Sequence, residues 1–267
     1  MNEALTEAAF SKQSAIFDAL YSGNTIVQYK RERVRRHVLS FLAPDSQILE
    51  LNCGTGEDAI FFARLGHHVH ATDLSGGMLE QLSQKVTARG LDGRISHELC
   101  SYTALDTLRE RGPFDLIFSN FAGLNCTGDL PKVLASFSPL LKPDGLVTLV
   151  ILPPFCLWET LLVFKGKVRT AFRRWFAGGG RKARVEGFPF RCWYYWPSSV
   201  RRSLGASFEV LDLEGLCTLV PPSYIEGFAE KRPGLYDYLR GLEEKRRRRW
   251  PWRVIGDYYI ITLQKKS

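Results

Sequence analysis

The chain has 267 residues, 45% of them apolar and 12% aromatic, enough for one large buried core and too many for global disorder. Its net charge of +8 at pH 7 points to anionic partners, whether phosphate groups, nucleic acid or a lipid surface, without choosing among them. The six cysteines include no C-x-x-C pair, which argues against a disulfide framework or a zinc site, so no metal is expected and a reducing compartment is. The amino terminus, MNEALTEAAFSKQ, bears acids and no apolar run; it does not read as a secretory signal, and a cytoplasmic location is expected.

In chain order, residues 3–20 and 26–42 read as helices, the second with Val34, Val38, Leu39 and Leu42 on one face. Strands and helices then alternate. ILELN is a predicted strand, DAIFFARLG a helix, HVHATD a strand, and SGGMLEQLSQKVTARG a helix closed by Gly90. RISHELC and FDLIFSN are the third and fourth strands and DLPKVLASFSPLL a helix; KPDG has the residues of a tight turn before a fifth strand, LVTLVIL. The run LVTLVILPPFCLWETLLVF, residues 146–164, is long enough to cross a bilayer, but Pro153-Pro154 breaks it and Glu159 interrupts its second half. It reads as a buried strand followed by a separate helix. Residues 155–196 are rich in aromatic and basic side chains, and ASFEVLDLEGL and IGDYYIITLQ are two last strands around a helix-rich stretch, 223–249.

This alternation predicts a doubly wound α/β fold, a mostly parallel sheet with helices on both faces. The expected division is a helical cap over residues 1–45, an α/β core over 46–152, an aromatic and basic lid-like insertion over 153–197, and a carboxyl-terminal part of the core sheet over 198–267. The tail strands are expected to pair antiparallel at one sheet edge.

The chemistry is carried by QILELNCGTGEDAIFFARLGHHVHATDLSGGML, residues 47–79. Gly54-x-Gly56-x-x-Ala59 fits a nucleotide-binding turn, in which glycines admit the ligand close to the backbone and the next helix offers free amide groups. Asp73, at the tip of the next strand, can accept hydrogen bonds from ribose hydroxyls. A plain strand-to-helix turn is the competing reading.

Taken together, ILELNCGTG, ATDLS, FDLIFSN and LLKPDG resemble the class I S-adenosylmethionine-dependent methyltransferases, over roughly residues 17–152 and again in the two tail strands. The resemblance implies a seven-stranded sheet with one reversed strand near the carboxyl terminus, S-adenosylmethionine as cofactor, and a role for each matching position. Glu50 would hold the methionine end. Asn52, Gly54 and Gly56 would let the backbone pass beneath the methionine and sulfonium. Asp73 would take the ribose hydroxyls, with Leu74 and Met78 near the adenosine. Ser101 and Tyr102 stand where the family usually has an acid that contacts the adenine amino group. Asn120 and Phe121 would border the methyl group. Asn52 replaces the family's usual glycine; asparagine tolerates left-handed backbone angles, and it reads equally as a turn former or a ligand contact.

A dinucleotide oxidoreductase is the rival reading. It would start its nucleotide unit at the amino terminus, whereas this chain spends its first 45 residues on helices. Methyl transfer from a sulfonium is an in-line displacement that can proceed through alignment and desolvation, and no catalytic base is assigned. The five histidines all precede residue 121. His67, His68 and His70 read as structural or solvent-facing.

Asn125, Trp193, Tyr194 and Tyr195 are the candidate acceptor-side residues, the last three from the aromatic run RCWYYWP. In WETLLVFKGKVRTAFRRWF, Trp158, Leu161, Leu162, Val168, Phe172, Trp175 and Phe176 recur at helical spacing among Lys167, Arg169, Arg173 and Arg174. That predicts a basic amphipathic helix, either a lid over the site or a contact with an anionic membrane. KRRRRWPWR, residues 245–253, reads as a solvated helix end or a nucleic-acid contact. The expected activity is methyl transfer to a small apolar or aromatic acceptor; an RNA methyltransferase and a cofactor-binding protein without turnover are the alternatives. The oligomeric state is not legible.

Overall fold

The computed structural model describes residues 2–175, 177–185, 187–225 and 227–267. Phe176, part of the predicted amphipathic stripe, lies outside the described residues.

Two helices open the chain, α1 (Asn2–Ser22) and α2 (Thr25–Leu39). Asn24 caps α2, its side chain accepting from the backbone N–H groups of Ile26 and Val27, both at 3.0 Å. Then come β1 (Gln47–Leu51), α3 (Glu57–Arg64), β2 (His68–Asp73), α4 (Gly76–Ala88), β3 (Ile95–Leu99), β4 (Phe114–Ser119), α5 (Leu130–Ala135) and β5 (Leu141–Ile151). Two short helices follow, α6 (Leu157–Leu161) and α7 (Val168–Ala171), then a hairpin of β6 (Arg181–Val185) and β7 (Phe188–Cys192). The chain ends with α8 (Pro197–Leu204), β8 (Phe208–Leu216), α9 (Phe228–Lys231), α10 (Pro233–Arg246) and β9 (Tyr258–Lys265).

The main sheet has seven strands in the order β3-β2-β1-β4-β5-β9-β8, with β9 antiparallel to both of its neighbours. Pairings from β3 across to β5 are parallel. The central strands β1, β4 and β9 are buried on both faces, as a sheet covered twice requires, whereas the edge strand β3 is largely exposed. Ile48, Phe118 and Ile260 join a core with Val34 and Val38 of α2 and Phe62 of α3, while Leu49, Ile117 and Ile261 join a second core with Val133 of α5 and Val200 of α8. Adjacent strand residues thus feed opposite cores, and each fully buried Leu, Ile or Phe contributes about 1.5–3 kcal/mol. Strand order reverses between β1 and β4, so a crevice opens there at the carboxyl ends of the strands.

Three expectations change. KPDG is not a turn ahead of the fifth strand: β5 begins at Leu141, and the pairing jumps from Phe114↔Leu141 to Leu116↔Leu146, so the tetrapeptide bulges out of a continuing strand, with Asp144 at φ 59. The predicted helix through DLPKVLASFSPLL stops at Ala135 and gives way to a short 3-10 turn over Ser138–Leu140. The continuous amphipathic helix does not form. Gly166 adopts a left-handed φ of 72 and splits the segment into α6, a 3-10 turn and α7. The basic residues of that stretch are partly spent internally. Arg174 is buried, bonding Glu159 at 2.6 Å and Asp257 at 2.8 Å, and Arg173 also bonds Glu159. The run LVTLVILPPFCLWETLLVF is the end of β5 and then α6, and among the described residues no helix is long and apolar enough to cross a membrane.

Candidate functional site

The turn after β1 is built from left-handed residues: Asn52 at φ 48, Gly54 at φ 55 and Gly56 at φ 78. Gly56 must be glycine on space as well, since a Cβ there would lie 2.0 Å from Leu82 Cδ1 of α4. Asp73 ties the β2 tip to this turn. Its Oδ2 accepts from Gly54 N at 2.9 Å and its Oδ1 from Ser75 N at 2.8 Å. Burial raises its pKa above the usual carboxylate value, against those backbone hydrogen bonds.

Asn52 does more than form the turn. Its Oδ1 accepts from Ser119 Oγ at 2.7 Å and its Nδ2 donates to Asn120 O at 3.1 Å, joining the tips of β1 and β4. A Cβ on Gly123 would sit 2.0 Å from Asn52 Cγ, so this bridge requires glycine opposite it. Beyond β4, Phe121 and Ala122 both take left-handed angles, φ 46 and 63, a costly pair for residues bearing side chains. Asn120 steadies the bend, its Oδ1 accepting from Phe121 N while its Nδ2 donates to Asp58, both at 2.8 Å.

Asp58 and Glu50 are both buried, with opposite consequences. Burial opposes ionisation of Asp58, but Arg31, Arg35 and the Asn120 amide outweigh it and hold its carboxyl below the usual range. Glu50 has no such partner. Burial first, then the nearby Asp58 charge, pushes its pKa well up, against Arg31 and Arg35. Its Oε2 has no hydrogen-bond partner among the described residues.

These groups surround one cavity of about 340 Å³ at the crevice between β1 and β4. Nine of the sequence-predicted positions line it: Glu50, Asn52, Gly54, Asp73, Leu74, Met78, Tyr102, Asn120 and Phe121. Burial also raises the Tyr102 hydroxyl pKa. Gly56 and Ser101 stand behind the wall. Gly56 shapes the turn, and Ser101 Oγ donates to Glu3 Oε1 at 2.9 Å. None of the five histidines lines the cavity; His70 Nδ1 meets Ser96 Oγ at 2.8 Å and His67 Nδ1 accepts from Ser46 N at 3.2 Å.

The proposed acceptor-side residues stand elsewhere. Asn125, fully buried, splices the chain with bonds to Leu152 O, Trp193 O and Leu152 N. Trp193 fills the space beside Gly128 and Gly180, Tyr194 lies against Arg174, and the Tyr195 hydroxyl donates to Thr127 O. None of Asn125, Trp193, Tyr194 and Tyr195 lines the cavity.

The lid comes from the other end of the chain. Along α1, Glu3, Thr6, Phe10, Phe17 and Tyr21 line the cavity. The helix is strapped across the sheet's carboxyl edge, from Asn2 on Cys126 O and Arg191 N, through Ser11 2.7 Å from Ser75, to Asp18 accepting from Thr55 Oγ1 at 2.6 Å. Lys30, Arg31, Ser223 and Tyr258 complete the wall facing Phe121. Sequence reasoning missed these residues. The one signal was that Thr6, Phe10, Phe17 and Tyr21 share a helix face.

The basic run at 245–253 is also partly consumed. Arg247 and Arg248 bond Glu214 and Asp212 of β8, each at 2.6 Å. Two clusters of potential metal ligands, Cys156 with Glu159 and Asp257, and His37 with Asp212 and Glu214, have arginines on their carboxylates in the same way.

Residues 48–145 match the family described as a methyltransferase domain. The chain is 30% identical over 114 residues to the tRNA 5-carboxymethoxyuridine methyltransferase of Escherichia coli (strain K12), covering 42% of this chain and 43% of that protein. It thus spans less than half the length of that relative. Among solved structures it is similar to the CcbJ methyltransferase of Streptomyces caelestis, with a TM-score of 0.63 at 18% identity over 97% of this chain and 98% of that one. It is also similar to the 1,6-didemethyltoxoflavin-N1-methyltransferase of Burkholderia thailandensis, solved with 1,6-didemethyltoxoflavin and S-adenosylhomocysteine, with a TM-score of 0.57 at 16% identity over 99% of this chain and 88% of that one.

Proposed function

We propose that this chain, whose residues 48–145 match a methyltransferase domain family, moves a methyl group from S-adenosylmethionine to a small acceptor held in the cavity beneath α1. When bound, the cofactor supplies a methyl group already activated on a sulfonium. The protein's part is to bind, align and exclude water.

The residues fit that ligand. Asp73 has one backbone N–H on each oxygen and acceptor capacity left for two ribose hydroxyls. The glycine turn leaves backbone open beside it, and Leu74, Met78 and Tyr102 offer a surface for the adenine. Glu3, held by Ser101 and Thr103 at 2.9 and 2.7 Å, brings a carboxylate to the place where the family usually draws one from the chain after β3. The observation that carries the reading is Glu50, a buried acid that lines the cavity and whose Oε2 has no hydrogen-bond partner among the described residues. Such a group is costly unless a cation meets it, and the methionine ammonium group is one.

Asn120 and Phe121 line the cavity at the tip of β4 and would border the methyl group, with Phe121 carried on the left-handed bend. No histidine lines the cavity, and its lysine, Lys30, stands as a donor to Ser223, so the reading favours a nucleophile that reacts without deprotonation by the enzyme. An RNA acceptor is the second reading, motivated by the tRNA-modifying relative. Engagement of Arg247 and Arg248 by β8 weighs against it.

Calorimetry with S-adenosylmethionine, then methyl-release assays on lipid, quinone and RNA extracts, tests both. Cofactor binding with product from a small-molecule extract is expected. Cofactor binding without product from any extract would favour a protein that uses the fold without turnover.

A further inference from the structure

Resting on that cofactor reading, we infer that the methyl acceptor carries an anionic group, a carboxylate or a phosphate, which Lys30 holds in the cavity beside Phe121 and Tyr258. Lys30 projects from α2 with 3% of its side chain exposed, and it lines the cavity. Its Nζ lies 4.8 Å from the centre of the Tyr258 ring and 5.7 Å from that of Phe121. It donates to Ser223 Oγ at 3.0 Å, which uses one of an ammonium's three N–H groups. The nearest carboxylate, Asp257, stands 3.7 Å away and is held more closely by Arg174, at 2.8 Å.

The neighbouring cation is shared in the same way. Arg31 lies 5.0 Å from the centre of the Phe121 ring and 3.2 Å from Asp58, a carboxylate that Arg35 already holds at 2.7 Å. Lys30 and Arg31 thus each face a carboxylate that another arginine already holds. Glu3, Glu50 and Asp73 also line the cavity, with Glu50 close to Asp58 and Arg31. An anionic group is repelled by these carboxylates and drawn to Lys30, whose neighbour Asp257 is held more closely by Arg174. The aromatic rings of Phe121, Tyr258, Phe17 and Tyr21 would then cover the apolar body of such a molecule.

The test begins by titrating wild-type protein with S-adenosylhomocysteine, which checks the cofactor reading by itself. The saturated complex is then titrated with phenylacetate, phenyl phosphate and neutral 2-phenylethanol. At least one anion is expected to bind roughly tenfold more tightly than the alcohol; which of the two does so separates carboxylate from phosphate. Lys30→Met is expected to erase the preference while leaving affinity for S-adenosylhomocysteine unchanged, and Lys30→Arg to keep most of it. Cofactor binding with no preference for either anion overturns the inference, as does a preference that survives in Lys30→Met. The wild-type comparison needs no variant and decides the matter if Lys30→Met does not fold.

Discussion

Glu3 and Ser101, 98 positions apart in sequence, are joined by a 2.9 Å hydrogen bond from the Ser101 hydroxyl to the Glu3 carboxylate. Thr103 donates to the same oxygen at 2.7 Å. The first turn of α1 is thereby fixed over the loop that follows β3, and a carboxylate from the chain's start faces the cavity. Glu3→Ala is expected to weaken S-adenosylhomocysteine binding by about tenfold, the loss of one charge-assisted hydrogen bond, with little change in Tm. A calorimetric titration beside a melting curve checks it; unchanged affinity would remove Glu3 from the site.

Glu50 predicts an inverse relation between stability and binding. Its folded-state pKa is raised by burial, so the folded protein binds a proton that the unfolded chain releases above its ordinary carboxylate value. The stability from this group is therefore fully present below that ordinary value of 4.5 and is lost as pH rises toward the folded pKa. Glu50→Gln imitates the protonated form. Without ligand it is expected to melt about 2–6 °C higher than wild type near neutral pH, with the gain vanishing as pH falls through the carboxylate range. The same variant is expected to bind S-adenosylmethionine more weakly. A variant that is less stable at neutral pH, or whose gain grows on acidification, would contradict the reading.

The Asn52–Gly123 contact predicts coupling between two loops. Gly123→Ala would drive a Cβ into the Asn52 amide and displace it from Ser119 and Asn120. The expected loss is about 1–3 kcal/mol. Asn52→Gly, the residue the family usually has there, removes the obstacle, so the double variant is expected to recover much of that loss. Denaturation of all four proteins gives the coupling energy; strict additivity would mean the two sites do not meet.

The sequence displayed most of the sheet and half of the site, for a physical reason. From β1 to β5, strand, turn and helix signals are local: Ile48 and Leu49 feed opposite cores, and the glycines and Asp73 mark the nucleotide turn within about twenty-five residues. The proposed cofactor-side residues Glu50, Asp73 and Asn120 were legible because each sits at a strand tip. The proposed acceptor side was not. Lys30 and Tyr258 are 228 positions apart and meet only because β9 inserts beside β5 and α2 packs across that face. The aromatic run at 191–197 and the stripe at 158–176 looked like pocket and lid. In fact Gly166, between two lysines, breaks the stripe, and Trp193 is committed to packing on Gly128 and Gly180. A glycine there was the available warning.

The crevice between Glu50 and Asp73 is the proposed seat of an adenosyl sulfonium donor. The most direct test of this proposal is a paired titration of wild type and Asp73→Ala with S-adenosylmethionine, with NAD as the competing nucleotide. S-adenosylmethionine is expected to bind wild type and to lose roughly tenfold or more in affinity in Asp73→Ala, since a two-point ribose contact of about 1.5–3 kcal/mol disappears. Binding of NAD alone, or equal affinity of both proteins for S-adenosylmethionine, would contradict it.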